Sequence, residues 1–206
     1  GMKIWNAFKV AFSMYSRIPM PKVDWNEKGM KYILCFFPFV GAVTGILSMV
    51  CLWICKKMEM GTLFTSAFLT ILPFLVNGGI HMDGFLDTID AKSSYKSKEE
   101  RLRILKDPNT GAFAVIYGII YMMLIFGFFS EITRQEMIFV AVGYFFSRAL
   151  SGLSVVAFQK AKKEGMAAST AESANKKVKG ILLFEICLSG ILFLLLQPIM
   201  GGLCIL

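Results

Sequence analysis

Five long apolar stretches, at residues 32–55, 62–80, 111–130, 136–158 and 180–206, dominate this 206-residue chain. Each is close to the roughly 20 residues with which a helix crosses about 30 Å of hydrocarbon. None alternates with period two, so transmembrane strands are not expected. Helices of a soluble core would carry polar faces, and these carry almost none. Only 17% of residues are charged and 56% are hydrophobic, whereas a soluble domain is about 25% charged. The predicted fold is all-α: a polytopic transmembrane helical bundle in a single membrane domain, residues 1–206.

Ahead of the first span, Ile4, Phe8, Ala11, Phe12 and Tyr15 recur at helical spacing, with Lys3 and Lys9 among them. This predicts an N-terminal amphipathic helix, lying in the interface or tucked against the bundle. Asn6 and Lys9 interrupt its apolar run, which argues against a signal peptide. Pro19 and Pro21 end it. Gly1 before Met2 reads as a tag remnant. Cys35, Cys51, Cys55, Cys187 and Cys204 lie in apolar runs without CxxC or Cys/His metal spacing. They read as small buried hydrophobes.

The net charge of +8 follows the topology. With the N-terminus inside, the inner segments hold Lys3, Lys9, Arg17, Lys22, Lys28 and Lys31, then Lys92, Lys96, Lys98, Arg101, Arg103 and Lys106, then Lys160, Lys162, Lys163, Lys176, Lys177 and Lys179. The outer turns hold Lys56, Lys57 and Arg134, and Arg148 falls within a span. Eighteen inside against three outside is a strong positive-inside asymmetry. It accounts for the basic chain through a membrane surface, with no nucleic-acid partner. The segment 81–110 is then a cytoplasmic active-site loop, and the protein is expected in the cell (inner) membrane.

That loop opens His81-Met82-Asp83-Gly84-Phe85-Leu86-Asp87-Thr88-Ile89-Asp90. If the stretch is helical, Asp83 to Asp90 spans about 700°, roughly 20° short of two turns. Asp83, Asp87 and Asp90 then share one face, and Phe85, Leu86 and Ile89 turn toward the bundle. Like charges one turn apart destabilise a helix by a few tenths of a kcal/mol per pair, about that much in water. A divalent cation is the simplest compensation. Mg²⁺ takes hard oxygens, commonly one or two protein carboxylates completed by phosphates and water, and two such ions clamp a phosphoryl displacement. A solvated acidic surface is the bland alternative.

Lys92 and Lys106 offer charge-assisted contacts to an anionic substrate. Arg101 and Arg103 with Glu99 and Glu100 fit ordinary surface pairs. Asp107 before Pro108 reads as an N-cap with proline at the first helical position, or as a substrate contact. His81 is the only histidine and stands two residues from the carboxylates as a hydrogen bonder or proton acceptor. Arg148, costly in lipid, should face the bundle and pair with an aspartate or a bound phosphate.

These residues carry a resemblance. Gly78 through Asp90 resembles the signature of the cobalamin synthase family, also called adenosylcobinamide-GDP ribazoletransferase or cobalamin-5′-phosphate synthase. The match continues through Ile104-Leu105-Lys106-Asp107, Gly111 and Phe113, and upstream in Tyr15-Ser16-Arg17-Ile18-Pro19-Met20-Pro21 and Phe36-Phe37-Pro38-Phe39-Val40-Gly41. Lys163-Glu164-Gly165-Met166 resembles a later cytoplasmic loop of the family. The family continues to a Gly-Gly-x-Thr-Gly-Asp motif, whereas this sequence ends Gly201-Gly202-Leu203-Cys204-Ile205-Leu206 in an apolar run. The expectation is a chain short of its family's last elements.

The resemblance implies transfer of the activated corrinoid of adenosylcobinamide-GDP to α-ribazole or its 5′-phosphate, with GMP leaving. It implies Mg²⁺ held by Asp83, Asp87 and Asp90, with an aspartate or His81 as proton acceptor. Lys92, Lys106, Asp107 and Arg148 would contact substrate. Partners are these small molecules and the bilayer, and a homo-oligomer is left open. Two other readings stand beside it. A CDP-alcohol phosphotransferase-like enzyme shares the Asp-Gly start, but Asp87-Thr88 replaces its Ala-Arg. A cation transporter would put its carboxylates nearer mid-membrane.

Overall fold

The computed structural model describes residues 2–23, 32–107, 109–157 and 176–198. Among them are eight helices: α1 (Met2–Tyr15), α2 (Ile33–Lys57), α3 (Thr62–Asn77), α4 (Ile80–Ser93), α5 (Lys98–Ile104), α6 (Ala112–Ser130), α7 (Arg134–Ala157) and α8 (Lys176–Leu196). The fold is all-α, as expected. Helices α2, α6, α7 and α8 are long and apolar enough to cross a membrane, with mean hydropathies of 2.2, 2.3, 1.5 and 2.2. Bent α3 and α4 together make a fifth candidate. Exposed Ile116, Ile119, Met123 and Leu124 give α6 a surface that suits lipid and not water. Lys28, Lys31, the 158–175 segment with its Lys163-Glu164-Gly165-Met166 stretch, and the C-terminal Gly201–Leu206 run lie outside the described residues.

The chain packs as two compact units, one of Gly1–Ile54 with Thr133–Leu206, the other Cys55–Ile132. In the first, α1 buries Val10, Ala11 and Met14 against Ile33. Its Tyr15 ring lies 4.4 Å from that of Phe37. The helix is therefore tucked against the bundle, while Ile4 and Trp5 stay exposed. Helix α2 runs on through Pro38, which lacks the N–H that would bond to Leu34. Gly41 and Gly45, four apart, let α2 approach α7. A Cβ on Gly45 would come within 2.8 Å of Ala141, and one on Gly41 would overlap the Tyr144 carbonyl. Small residues at this spacing bring membrane helices to backbone contact. On the other side of α7, the Phe193 ring of α8 meets Phe139 at 4.7 Å and Phe146 at 5.3 Å. Thr133 and Glu136 cap α7 reciprocally: the Thr133 N–H donates to the Glu136 carboxylate at 2.7 Å, and the Glu136 N–H to the Thr133 hydroxyl at 3.3 Å.

In the second unit, α3 has 16 residues and rises about 24 Å, short of a full crossing. The chain then turns by 94° into α4. Two glycines make the turn. Gly78 has φ 68° and Gly79 φ 81°, the left-handed region that side chains disfavour. The Gly78 N–H closes α3 on Phe74 O at 2.8 Å, and Asn77 Oδ1 accepts the Gly79 N–H at 2.8 Å. The second predicted span therefore ends at Asn77, and much of the expected loop is helix. Helix α6 packs against both α3 and α4.

Candidate active site

Helix α4 fulfils the condition under which three aspartates share a face, since it is continuous from Ile80 to Ser93. Its apolar side meets α6. Leu86 lies over Gly118, where a Cβ would stand 3.2 Å from it, and the Phe85 ring is 5.9 Å from Tyr121. His81 sits half-buried in the first turn, Asp83 is exposed, and Asp87 and Asp90 are half-buried.

The three carboxylates are not used alike. Asp90 Oδ2 accepts the Gly111 N–H at 2.6 Å, and Oδ1 accepts the Ala114 N–H at 2.8 Å. Gly111 is the N-cap of α6 and supplies no side-chain cap of its own. Asp90 thus serves as that cap from another helix, satisfying amides that a helix start leaves open and placing negative charge at its positive end. Glycine leaves the carboxylate its place: a Cβ on Gly111 would come 2.6–2.7 Å from the Asp90 carboxylate, which would have to shift. Among the described residues, no group of three or more His, Cys, Asp or Glu is arranged to hold a metal.

The expected cap was Asp107, and the structure corrects this. Helix α6 starts at Ala112 behind Gly111. Asp107 Oδ1 instead accepts both the backbone and side-chain N–H of Asn109, each at 2.9 Å. This is a local turn of the kind Asp readily makes. Those two bonds, backbone first, hold the Asp107 carboxyl below its ordinary pKa, with a smaller contribution from Arg103. Pro108 lies outside the described residues. Ser97 and Glu100 form a capping box on α5, so Glu100 has a structural role. Lys92 and Lys106 are exposed and open to an anion.

Arg148 belongs to α7 in the first unit. Its Nη1 donates to Ser147 Oγ at 3.1 Å and to Tyr144 O at 3.5 Å, and its guanidinium lies 5.3 Å from the Tyr144 ring. A cavity of about 360 Å³ between α3 and α6 is walled by Ala67, Thr70, Ile71, Met122, Met123 and Phe126. With no charged group in its wall, it is not where phosphate chemistry would run. Sequence reasoning passed over Glu185, a buried acid in α8 whose Oε2 has no hydrogen-bond partner among the described residues. Its signal was plain: it is the single acidic residue of the fifth apolar stretch.

Fold and site define a multi-pass α-helical membrane protein with a carboxylate-bearing helix set off by a glycine elbow. The chain belongs to the cobalamin-5-phosphate synthase family, whose profile matches residues 7–206. It is similar to an adenosylcobinamide-GDP ribazoletransferase of Lachnoclostridium phytofermentans, with 45% identity over 97% of this chain and 77% of the relative. Proteins of the same name from Clostridium botulinum strain Eklund 17B (34% identical, 91% of this chain, 77% of the relative) and Clostridium perfringens strain SM101 (31%, 88% and 74%) are also similar. No solved structure matches.

Proposed function

We propose that this chain is a membrane-bound transferase that joins adenosylcobinamide-GDP to α-ribazole or α-ribazole 5′-phosphate and releases GMP, the late nucleotide-loop assembly step of cobalamin biosynthesis. The observation that carries this reading is α4: an acidic face on a helix fixed between a glycine elbow and α6, inside a chain that matches the family from residue 7 to its end. A ribose hydroxyl of the ribazole attacks the corrinoid-side phosphorus of the pyrophosphate. A new P–O bond forms, the bridging P–O bond breaks, and GMP leaves with its electrons. The hydroxyl proton passes to an aspartate of α4 or to His81. Positioning and charge neutralisation carry most of such a transfer, and Lys92, on α4, and Lys106, in the same unit, are the cations proposed for the phosphates.

The donor set fits Mg²⁺. Asp83 and Asp87 stand one turn apart on α4, one exposed and one half-buried, and Mg²⁺ commonly takes one or two carboxylates. They would hold the ion, with Asp90 the third acid of the expected set. Bound there, magnesium supplies positive charge for the pyrophosphate oxygens. The direct test is GMP release from adenosylcobinamide-GDP by a membrane preparation given α-ribazole and magnesium. Release dependent on both substrates is expected, and none under any divalent cation would refute the assignment.

The eighteen-to-three charge asymmetry supports a cytoplasmic α4 and α5 in the cell membrane. With the native cysteines replaced, Lys96→Cys should react with an impermeant maleimide only in inverted vesicles, and Glu59→Cys only in right-side-out cells. Labelling in the reverse pattern would overturn the orientation.

A further inference from the structure

Asp90 is the acid of α4 whose surroundings are most completely defined. Both of its oxygens bond to amides at the start of α6, and the glycine beneath is the residue that leaves room for them. Helix α4 packs its apolar side on α6 through Phe85 and Leu86, and each of its two ends is held separately. At the first, Gly78 and Gly79 form the elbow, and glycine has more backbone freedom than any other residue. A helix held there alone could swing and roll. The Asp90 carboxylate fixes the second end, about 15 Å along the axis from Ile80. Because Asp83 lies only about 20° from Asp90 around the helix, fixing Asp90 fixes the direction in which Asp83 and Asp87 point. The clamp also sets the α6 N-terminus against one of the three negative charges. The repulsion read from the sequence therefore has a compensation that needs no ion at this position.

We infer that Asp90 is a positioning residue and not a metal ligand: by clamping α4 to the backbone of α6 at Gly111 and Ala114, it holds Asp83 and Asp87 in working orientation. This rests on the transferase reading, and the test separates the two.

Asp90→Asn keeps the size, loses the charge and replaces one acceptor by a donor that faces an amide. In full-length protein in nanodiscs, amide hydrogen exchange should rise at residues 111–114 in Asp90→Asn and stay at wild type in Asp83→Asn and Asp87→Asn. In GMP-release kinetics, Asp90→Asn should lower kcat at least tenfold and leave the magnesium concentration for half-maximal rate within twofold of wild type. Asp83→Asn should raise that concentration tenfold or more. Gly111→Ala, which keeps every carboxylate but crowds the clamp, should reproduce the Asp90→Asn signature and covers the case in which Asp90→Asn fails to fold. A magnesium shift in Asp90→Asn or Gly111→Ala as large as that in Asp83→Asn overturns the inference, because Asp90 is then a ligand. Wild-type kcat in whichever of the two folds also overturns it, because the clamp is then only structural. If Asp83→Asn and Asp87→Asn leave rate and magnesium dependence untouched, the metal reading fails; the exchange and kcat of Asp90→Asn still decide the clamp.

Discussion

Asp83→Asn or Asp87→Asn is expected to lower turnover by at least about a hundredfold, the scale on which removing one preorganised charge-stabilising group acts. Asn matches Asp in size and keeps one carbonyl oxygen, so the loss would report charge and not shape. Asp83 is exposed and Asp87 half-buried on α4, and the contacts of α4 with Gly118 and Tyr121 are made by Leu86 and Phe85. Folding should therefore survive. Without metal the variants should melt no lower than wild type, because like charges one turn apart repel by about a few tenths of a kcal/mol. Steady-state GMP release against a magnesium titration, beside melting curves in detergent, measures both. Near-normal turnover in both variants would remove the pair from the chemistry.

Gly41→Val should be the most damaging packing change in the first unit. Its Cβ would fall on the Tyr144 carbonyl, 2.6 Å from the carbonyl carbon and 2.9 Å from Arg148 Cδ. The Arg148 methylene can move, but the Tyr144 backbone belongs to α7 and cannot rotate aside. The two helices would have to part, losing the contact at Gly45 as well. Overpacking commonly costs about 1–3 kcal/mol and more where the neighbour is rigid. The upper end, or loss of folded protein, is expected here. Gly127→Ala is the matched control, since nothing lies within 4 Å of a Cβ there. Thermal denaturation of purified protein compares them. A Gly41→Val variant melting within a few degrees of wild type would show that α2 and α7 are not in backbone contact.

The membrane helices were legible because one rule governs them: a segment that must satisfy its own amides in lipid becomes a helix. Predicted and observed boundaries accordingly agree within a few residues at 32–55, 111–130 and 136–158. The elbow was half legible. The Gly78-Gly79 pair was visible, but two consecutive left-handed residues and a 94° turn depend on how α3 and α4 both pack on α6. At the site, the shared face of Asp83, Asp87 and Asp90 followed from helical period alone. Their division of labour did not, because the Asp90 partners lie 21 and 24 residues away. Local reasoning gave the cap to Asp107, the nearest acid before a proline. What it lacked was the contact that brings α4 against the start of α6.

The bond from Asp90 to α6 is made to main-chain amides, which every residue type but proline carries. That anchorage is therefore blind to most side-chain change along α6. Val115, Ile116 and Ile119 can drift among apolar residues as the lipid allows, while the acidic helix stays seated. A search for paired substitutions between α4 and α6 would find little trace of the attachment. Its mark on the sequence would be a small residue at 111 opposite an acid at 90, and drift that erased either would loosen that end of α4 while Phe85 and Leu86 still packed on α6.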